Sequence, residues 1–350
     1  MRKIILFLMF FSFQAMASKS LMVKSGYHYY LSNSSNEDIQ NKKSETKHNL
    51  KLVLGFMGKI EDSITYNLKL NPIHTAAQNM ATCTQSGVYV ASLKMQVNDL
   101  FDLKAGCMHV NTGGWENRNL NSMSHYAPNI ANMITLPLKK YDLGLELGFN
   151  LFGRLSLQFF EDPQGSYRSN PGYMTLAASW NGNFSGFEPI VQFAMYDEQK
   201  SQIFGLGLKT ELMGLSFRAD FQQDKKKYKY GEDNKEDTAT TTVYSAFVSY
   251  SMLDILIPYL RYQNISKDKE NGVKNDKNTV WGGTSDTGSV MSPMNNGQVL
   301  TLGFDMKYNE KFVPYFSANM HSGKFTKASD ANASEDLSNW VFRLGFTGMF

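Results

Sequence analysis

The stretch YDLGLELGFNL, residues 141–151, decides the fold. Tyr141, Leu143, Leu145, Leu147, Phe149 and Leu151 share one parity, and Asp142, Gly144, Glu146, Gly148 and Asn150 share the other. A helix would scatter both sets around its circumference. A strand puts every bulky apolar group on one side and every small or polar group on the other. The same alternation recurs in Leu50/Leu52/Leu54/Phe56, Ile64/Tyr66/Leu68/Leu70, Leu215/Phe217/Ala219/Phe221 and Leu300/Leu302/Phe304/Met306/Tyr308. It appears once more in WVFRLGFTGMF, residues 340–350, whose apolar face runs as far as Phe350.

Extended along the chain, this period predicts sixteen strands: 21–31, 48–58, 63–71, 87–97, 100–110, 140–151, 155–161, 172–180, 187–196, 201–211, 214–223, 241–251, 255–264, 298–308, 311–321 and 339–350. Tight joints, such as Asn98–Asp99 and the single Met213, alternate with long polar ones at 32–47, 72–86, 111–139, 162–171, 224–240, 265–297 and 322–338. The four-residue joint at 197–200 is the exception. Such alternation sorts the joints onto two ends of one object, and an even strand count puts both termini at the short-joint end. Pro258 and Pro314 donate no ladder hydrogen bond, so they are expected near strand ends or bulges.

Composition narrows the class. The chain has 350 residues, 13 % aromatic, with 24 Phe and 18 Tyr, and a mean hydropathy of −0.35. A formal charge of +3 argues against nucleic-acid binding. Residues 1–17, MRKIILFLMFFSFQAMA, carry two basic residues, a short apolar run and Ala15-Met16-Ala17, the pattern of a cleaved export signal. Removing Arg2 and Lys3 from 35 basic residues leaves 33 against 32 acidic ones in a mature chain 18–350. No later run of eighteen apolar residues occurs, so helical spanning is excluded. What remains is a secreted soluble protein or a transmembrane barrel. In a soluble sandwich the polar parity would face water; here it is too rich in Lys, Asp, Glu, Gln, Ser and Thr for the dry core of any packed sheet. A closed barrel with the apolar parity outward satisfies every backbone group and leaves no edge.

The hairpin rhythm, the leader and the terminal aromatic strand WVFRLGFTGMF together resemble a Gram-negative outer-membrane porin of the general-diffusion kind. The resemblance implies an all-β, up-and-down barrel of about sixteen strands, with a water-filled lumen passing small hydrophilic solutes and ions. It implies a homotrimer in outer-membrane lipid, and a terminal Phe350 read by the barrel-assembly machinery. It also implies that the third outer loop, 111–139, folds inward as a constriction. Its GGWEN start, Gly113 to Asn117, is similar to the family's loop tip, with Glu116 its acid and Arg118 its nearby cation.

Parity then assigns a pore wall. Lys24, Lys51, Lys69, Lys94, Lys104 and Arg343 fall on strands one to five and sixteen, one continuous sector after closure. Asp142, Glu146, Glu188, Glu211 and Asp220 fall on strands six to eleven, interrupted by Lys209 and Arg218. Opposed basic and acidic walls would filter solutes by charge. Porins of this kind place basic residues on the wall opposite the third loop. The inward parity also holds Tyr173, Tyr196, Tyr259 and Tyr315. Aromatic residues at strand ends, Tyr141, Tyr308, Phe312, Trp340 and Phe350, suit an interfacial girdle.

Cys83 and Cys107 are the only cysteines. A bridge and two separate thiols are both consistent with their spacing. The six histidines show no metal-ligand spacing, and no cofactor or metal is implied. Two other functions stand beside the channel. The loops at 224–240 and 265–297 could make the barrel a surface adhesin or receptor. An outer-membrane lipase would need a nucleophile aligned with a histidine. His321 beside Ser317 and Ser322 is the only loose candidate, and no spacing supports it.

Overall fold

The computed structural model describes residues 18–33, 44–70, 88–112, 114–115, 141–162, 173–196, 201–230, 235–251, 255–268, 294–307, 312–326 and 334–349. Sixteen strands follow in chain order: β1 (Ser18–Asn33), β2 (Ser44–Glu61), β3 (Ile64–Leu70) and β4 (Val88–Gln96). Next come β5 (Phe101–His109), β6 (Tyr141–Asn150), β7 (Arg154–Asp162) and β8 (Tyr173–Asn181). Then come β9 (Phe187–Tyr196), β10 (Ser201–Leu212), β11 (Leu215–Tyr230) and β12 (Lys235–Tyr250). The last four are β13 (Leu256–Asp268), β14 (Met294–Met306), β15 (Phe312–Thr326) and β16 (Ser334–Met349). Each pairs antiparallel with its sequence neighbours, and β16 pairs with β1, closing one barrel. Closure runs from Met22 opposite Met349 to Asn33 opposite Ser338.

The apolar parity faces out. Leu143 and Leu145 of β6 are 54 % and 49 % exposed, while Glu146, of the opposite parity, is 5 % exposed. Outward aromatic rings pair across strands, as the pleat requires. Phe204 of β10, Phe221 of β11 and Tyr244 of β12 form a chain with centroids 6.4 and 5.3 Å apart. Phe312 and Phe346 approach to 5.2 Å, and Trp340 stacks on Phe342 at 6.0 Å. Tyr308 and Phe350 lie outside the described residues, as do residues 1–17, expected as an export signal.

Pro258 and Pro314 are each the third residue of their strands, β13 and β15, close to the ends where a missing donor costs least. The long joints are shorter than parity suggests. Residues 224–240, expected as a polar loop, are mostly strand: β11 and β12 stay paired to Tyr230 opposite Lys235. The lysine run hides a continuing alternation. Asp224 keeps the inward phase of Gln222, is buried, and accepts a 2.8 Å hydrogen bond from the Tyr196 hydroxyl. The β-branched run at Thr240–Val243 supports the partner strand. β15 and β16 likewise run past their expected ends, to Thr326 and from Ser334. Cys107 faces outward on β5, is buried and is disulfide-bonded. Cys83, the only other cysteine, lies outside the described residues.

One glycine is fixed by backbone geometry within a strand. Gly106 has φ 118°, and a Cβ there would meet the Ala91 carbonyl oxygen on β4. Gly106→Ala is expected to lower the stability of the folded barrel by about 1–3 kcal/mol, measured by urea unfolding in lipid vesicles.

Candidate functional site: the lumen

The inward parity builds two polar constellations on opposite parts of the wall. The first lies near the short-joint end of β4–β7. Asp102, second residue of β5, is wholly buried. Arg154, first residue of β7, grips it with both terminal nitrogens, Nη1 to Oδ2 at 2.6 Å and Nη2 to Oδ1 at 2.9 Å. Such fork-to-carboxylate pairing is geometrically specific as well as strong. Arg154 Nη2 also donates to Glu146 Oε1 at 2.9 Å, and Lys94 Nζ stands 3.3 Å from Asp102 Oδ2. Gln158 Nε2 donates to Glu146 Oε2 at 2.8 Å. Two carboxylates thereby tie together four staves. A side chain at Gly148 would collide with Arg154 and Asp102, so glycine leaves the space in which the pair meets.

The second constellation is a clasp between the third outer loop and the far wall. The chain turns inward as it leaves β5: the Asn111 N–H donates to Gln158 Oε1 at 2.8 Å, and Gln158 Nε2 donates back to the His109 carbonyl at 3.0 Å. Four strands around the barrel from β5, the Gly114 N–H donates to Gln192 Oε1 of β9 at 2.6 Å. The Trp115 N–H donates to Asp220 Oδ1 of β11 at 2.8 Å, and its indole Nε1 donates to the Glu188 carbonyl at 2.9 Å. Lys209 Nζ lies 5.8 Å from the indole centroid, within cation–π range. Two glycines make room. A Cβ on Gly114 (φ 66°) or on Gly207 would strike Asp220, and one on Gly207 would also press Ile190 and Trp115. The loop start therefore crosses the lumen and is held by backbone donors on buried acceptors.

Beside the first constellation lies a cavity of about 890 Å³. Ser92, Lys94, Lys104, Glu146, Ser156 and Asn181 contribute to its lining. Its basic side chains are Lys59, Lys94, Lys104 and Arg154, and its acid is Glu146. The lumen is not open all round. On β13–β16, Arg261, Gln263, Thr301, Ser317, Asn319 and Thr347 face inward and are entirely covered. The cavity lies against β2–β8.

The sites read from parity are distributed as follows. Lys24 and Lys51 are direct cross-strand partners, as are Lys94 and Lys104. Lys69 stands opposite Gly55 and Val90, and Arg343, buried, opposite Ser317 and His28. Glu146 stands opposite Lys104 and bonds Arg154, so it belongs with the basic sector rather than facing it. Glu188 and Glu211 each sit 3.2 Å from Lys209, and Asp220 serves the clasp. Asp142 stands opposite Met108. Tyr196, Tyr259 and Tyr315 are inward and buried. Glu116 and Arg118 lie outside the described residues. Among the described residues no His, Cys, Asp and Glu group could hold a metal ion.

Sequence reasoning missed Asp102, Arg154 and the clasp. The first two were within reach, because Asp102 shares the phase of Lys104 and Arg154 that of Ser156 and Gln158. Trp115 had only the adjacent Gly113-Gly114 as a signal.

No protein-family model matches the chain, and no curated protein matches it. Solved structures do. An anion-selective porin from Comamonas acidovorans superposes with a TM-score of 0.62 at 10 % identity, covering 95 % of this chain and 99 % of that one. Salmonella typhi OmpF, in complex with daunomycin, gives 0.60 at 12 %, covering 95 % and 97 %. OmpT, an outer membrane protein of Vibrio cholerae solved in a trimer form, gives 0.59 at 8 %, covering 96 % and 100 %. The chain has the fold of the outer-membrane porin barrels.

The Asp102–Arg154 pair is the energetic centre of the first constellation. A double-mutant cycle with Asp102→Asn and Arg154→Gln is expected to give a coupling of about 0.5–3 kcal/mol in urea unfolding. The wet side of Arg154 keeps it toward the lower end.

Proposed function

We propose that this chain forms a water-filled diffusion channel in the outer membrane of a Gram-negative bacterium, passing small hydrophilic solutes with a preference for anions. One observation carries the reading: a closed sixteen-strand barrel with its apolar parity outward holds a cavity of about 890 Å³ lined mostly by polar and charged residues. No chemistry is needed of any residue. Passage is governed by width and by the charge of the wall.

The clasp supports a constriction role for 111–139. It draws the loop start across the lumen to β9 and β11, so solutes pass along β2–β8. The anion preference is supported by the cavity lining, where four basic side chains meet a single acid. Asp102 offsets part of that charge from behind Lys94 and Arg154, so the preference is modest. Assembly as a homotrimer is supported by the V. cholerae barrel solved in that form. Recognition of Phe350 by the barrel-assembly machinery belongs to the same reading.

Single-channel recording in planar bilayers under asymmetric salt tests it. The expected result is discrete conductance steps and a reversal potential of the anion-passing sign. Lys94→Gln with Lys104→Gln moves that potential toward zero, and Trp115→Ala raises the conductance. Absence of steps from correctly folded protein would sink the channel.

A further inference from the structure

The short joints of a barrel lie at its aqueous rim, where polar turn residues are usual. Two joints here break that pattern in the same way. Leu151-Phe152-Gly153 joins β6 to β7, with φ of 44° at Phe152 and 125° at Gly153. Met213-Gly214 joins β10 to β11, with φ of 49° and 79°. Left-handed φ suits Gly, Asn or Asp and strains a bulky side chain. Between them, the bend before β9 uses the same backbone at Ser185 and Gly186, φ 49° and 92°, with a small polar residue first. The backbone therefore does not call for Phe or Met. Packing does not call for them either, since Phe152 is 93 % exposed and Met213 84 % exposed.

The rim is divided by sector. Phe152 and Met213, with exposed Phe184 and Leu212, occupy the arc β6–β11. On the opposite arc the joint after β2 exposes Lys59, Glu61 and Asp62 around Ile60, and Lys307 follows β14 beside exposed Met306 and Ile255. That side is mixed, with no tip as exposed and apolar as Phe152 or Met213 among the described residues. The apolar arc continues the outward band: Leu151 extends the face of Leu145, and Leu212, past Thr210, that of Leu206.

We propose that the phospholipid leaflet at the short-joint end is the partner of this arc. Phe152 and Met213 insert below its headgroups and hold the β6–β11 sector deeper than the charged joint after β2, so the barrel sits tilted. The proposal rests on the membrane-channel reading. Lipid fits better than a protein because the two exposed tips stand four strands apart and each continues the outward, apolar side of its own hairpin. That spacing is roughly 19 Å at ~4.8 Å per strand, and bulky apolar groups spread along a rim are what a fluid interface accommodates.

Nitroxide labels on Phe152→Cys, Met213→Cys, Asp62→Cys and Leu206→Cys in phospholipid vesicles provide the test; Cys107 is already bonded. Collision with oxygen reports hydrocarbon, and collision with a nickel chelate reports water. The expected result is an oxygen-to-nickel ratio at 152 and 213 several-fold above that at 62 and close to that at 206. Labels at 152 and 213 that match 62, while 206 stays in hydrocarbon, overturn the proposal alone. Shielding of 152 and 213 from both reagents means a protein contact and overturns it too. Nickel access at 206 overturns the membrane reading and the proposal together. Phe152→Trp against Asp62→Trp, read by brominated-lipid quenching, gives the same comparison without a label: stronger added quenching at 152 supports the proposal, and equal quenching overturns it.

Discussion

Everything in this molecule follows from one constraint: in hydrocarbon, no backbone N–H or C=O can go unpaired. Among the described residues no helix is long and apolar enough to cross a membrane. The chain meets the constraint by pairing β16 with β1, so that each strand has two neighbours and the sheet has no edge. Once the sheet closes, inside and outside are fixed by the pleat. Each residue's parity decides which solvent it meets, and a slip of one residue would turn a whole stave inside out.

The lumen shows what that sorting achieves. Inward groups on neighbouring staves meet at fixed register, which is why Lys104 lies opposite Glu146 and Glu188 opposite Lys209. Charges of opposite sign compensate within a few ångströms instead of forming two uniform walls. The net basic character of the open side comes from Lys94, Lys104 and Arg154, which outnumber the acids beside them. The clasp on β9–β11 and the covered side chains of β13–β16 leave the cavity on the β2–β8 side of the lumen.

Much of this was legible in the sequence because parity is a local signal. YDLGLELGFNL fixed a strand, its outward face and the position of Glu146 without knowledge of any partner. β11 and β12 were underestimated because Lys225–Tyr230 reads as solvated charge, although Asp224 and Tyr228 keep the period. The clasp was illegible for a different reason. Trp115 meets residues 73 and 105 positions away, and the glycine that makes room for it, Gly207, sits on another stave. No local pattern carries a contact made across the lumen. The turn residues Phe152 and Met213 were visible as letters, but their strain and exposure are properties of the closed backbone.

The central claim is that alternate residues of one strand meet different solvents. A cysteine scan from Ala91 to Gln96 of β4, in a background lacking the native pair and reconstituted in vesicles, measures it with a small water-soluble maleimide. The account predicts reaction at 94 and 96, which face the lumen and are partly open, and protection at 91, 93 and 95. The opposite phase, or uniform reaction at every position, would contradict it.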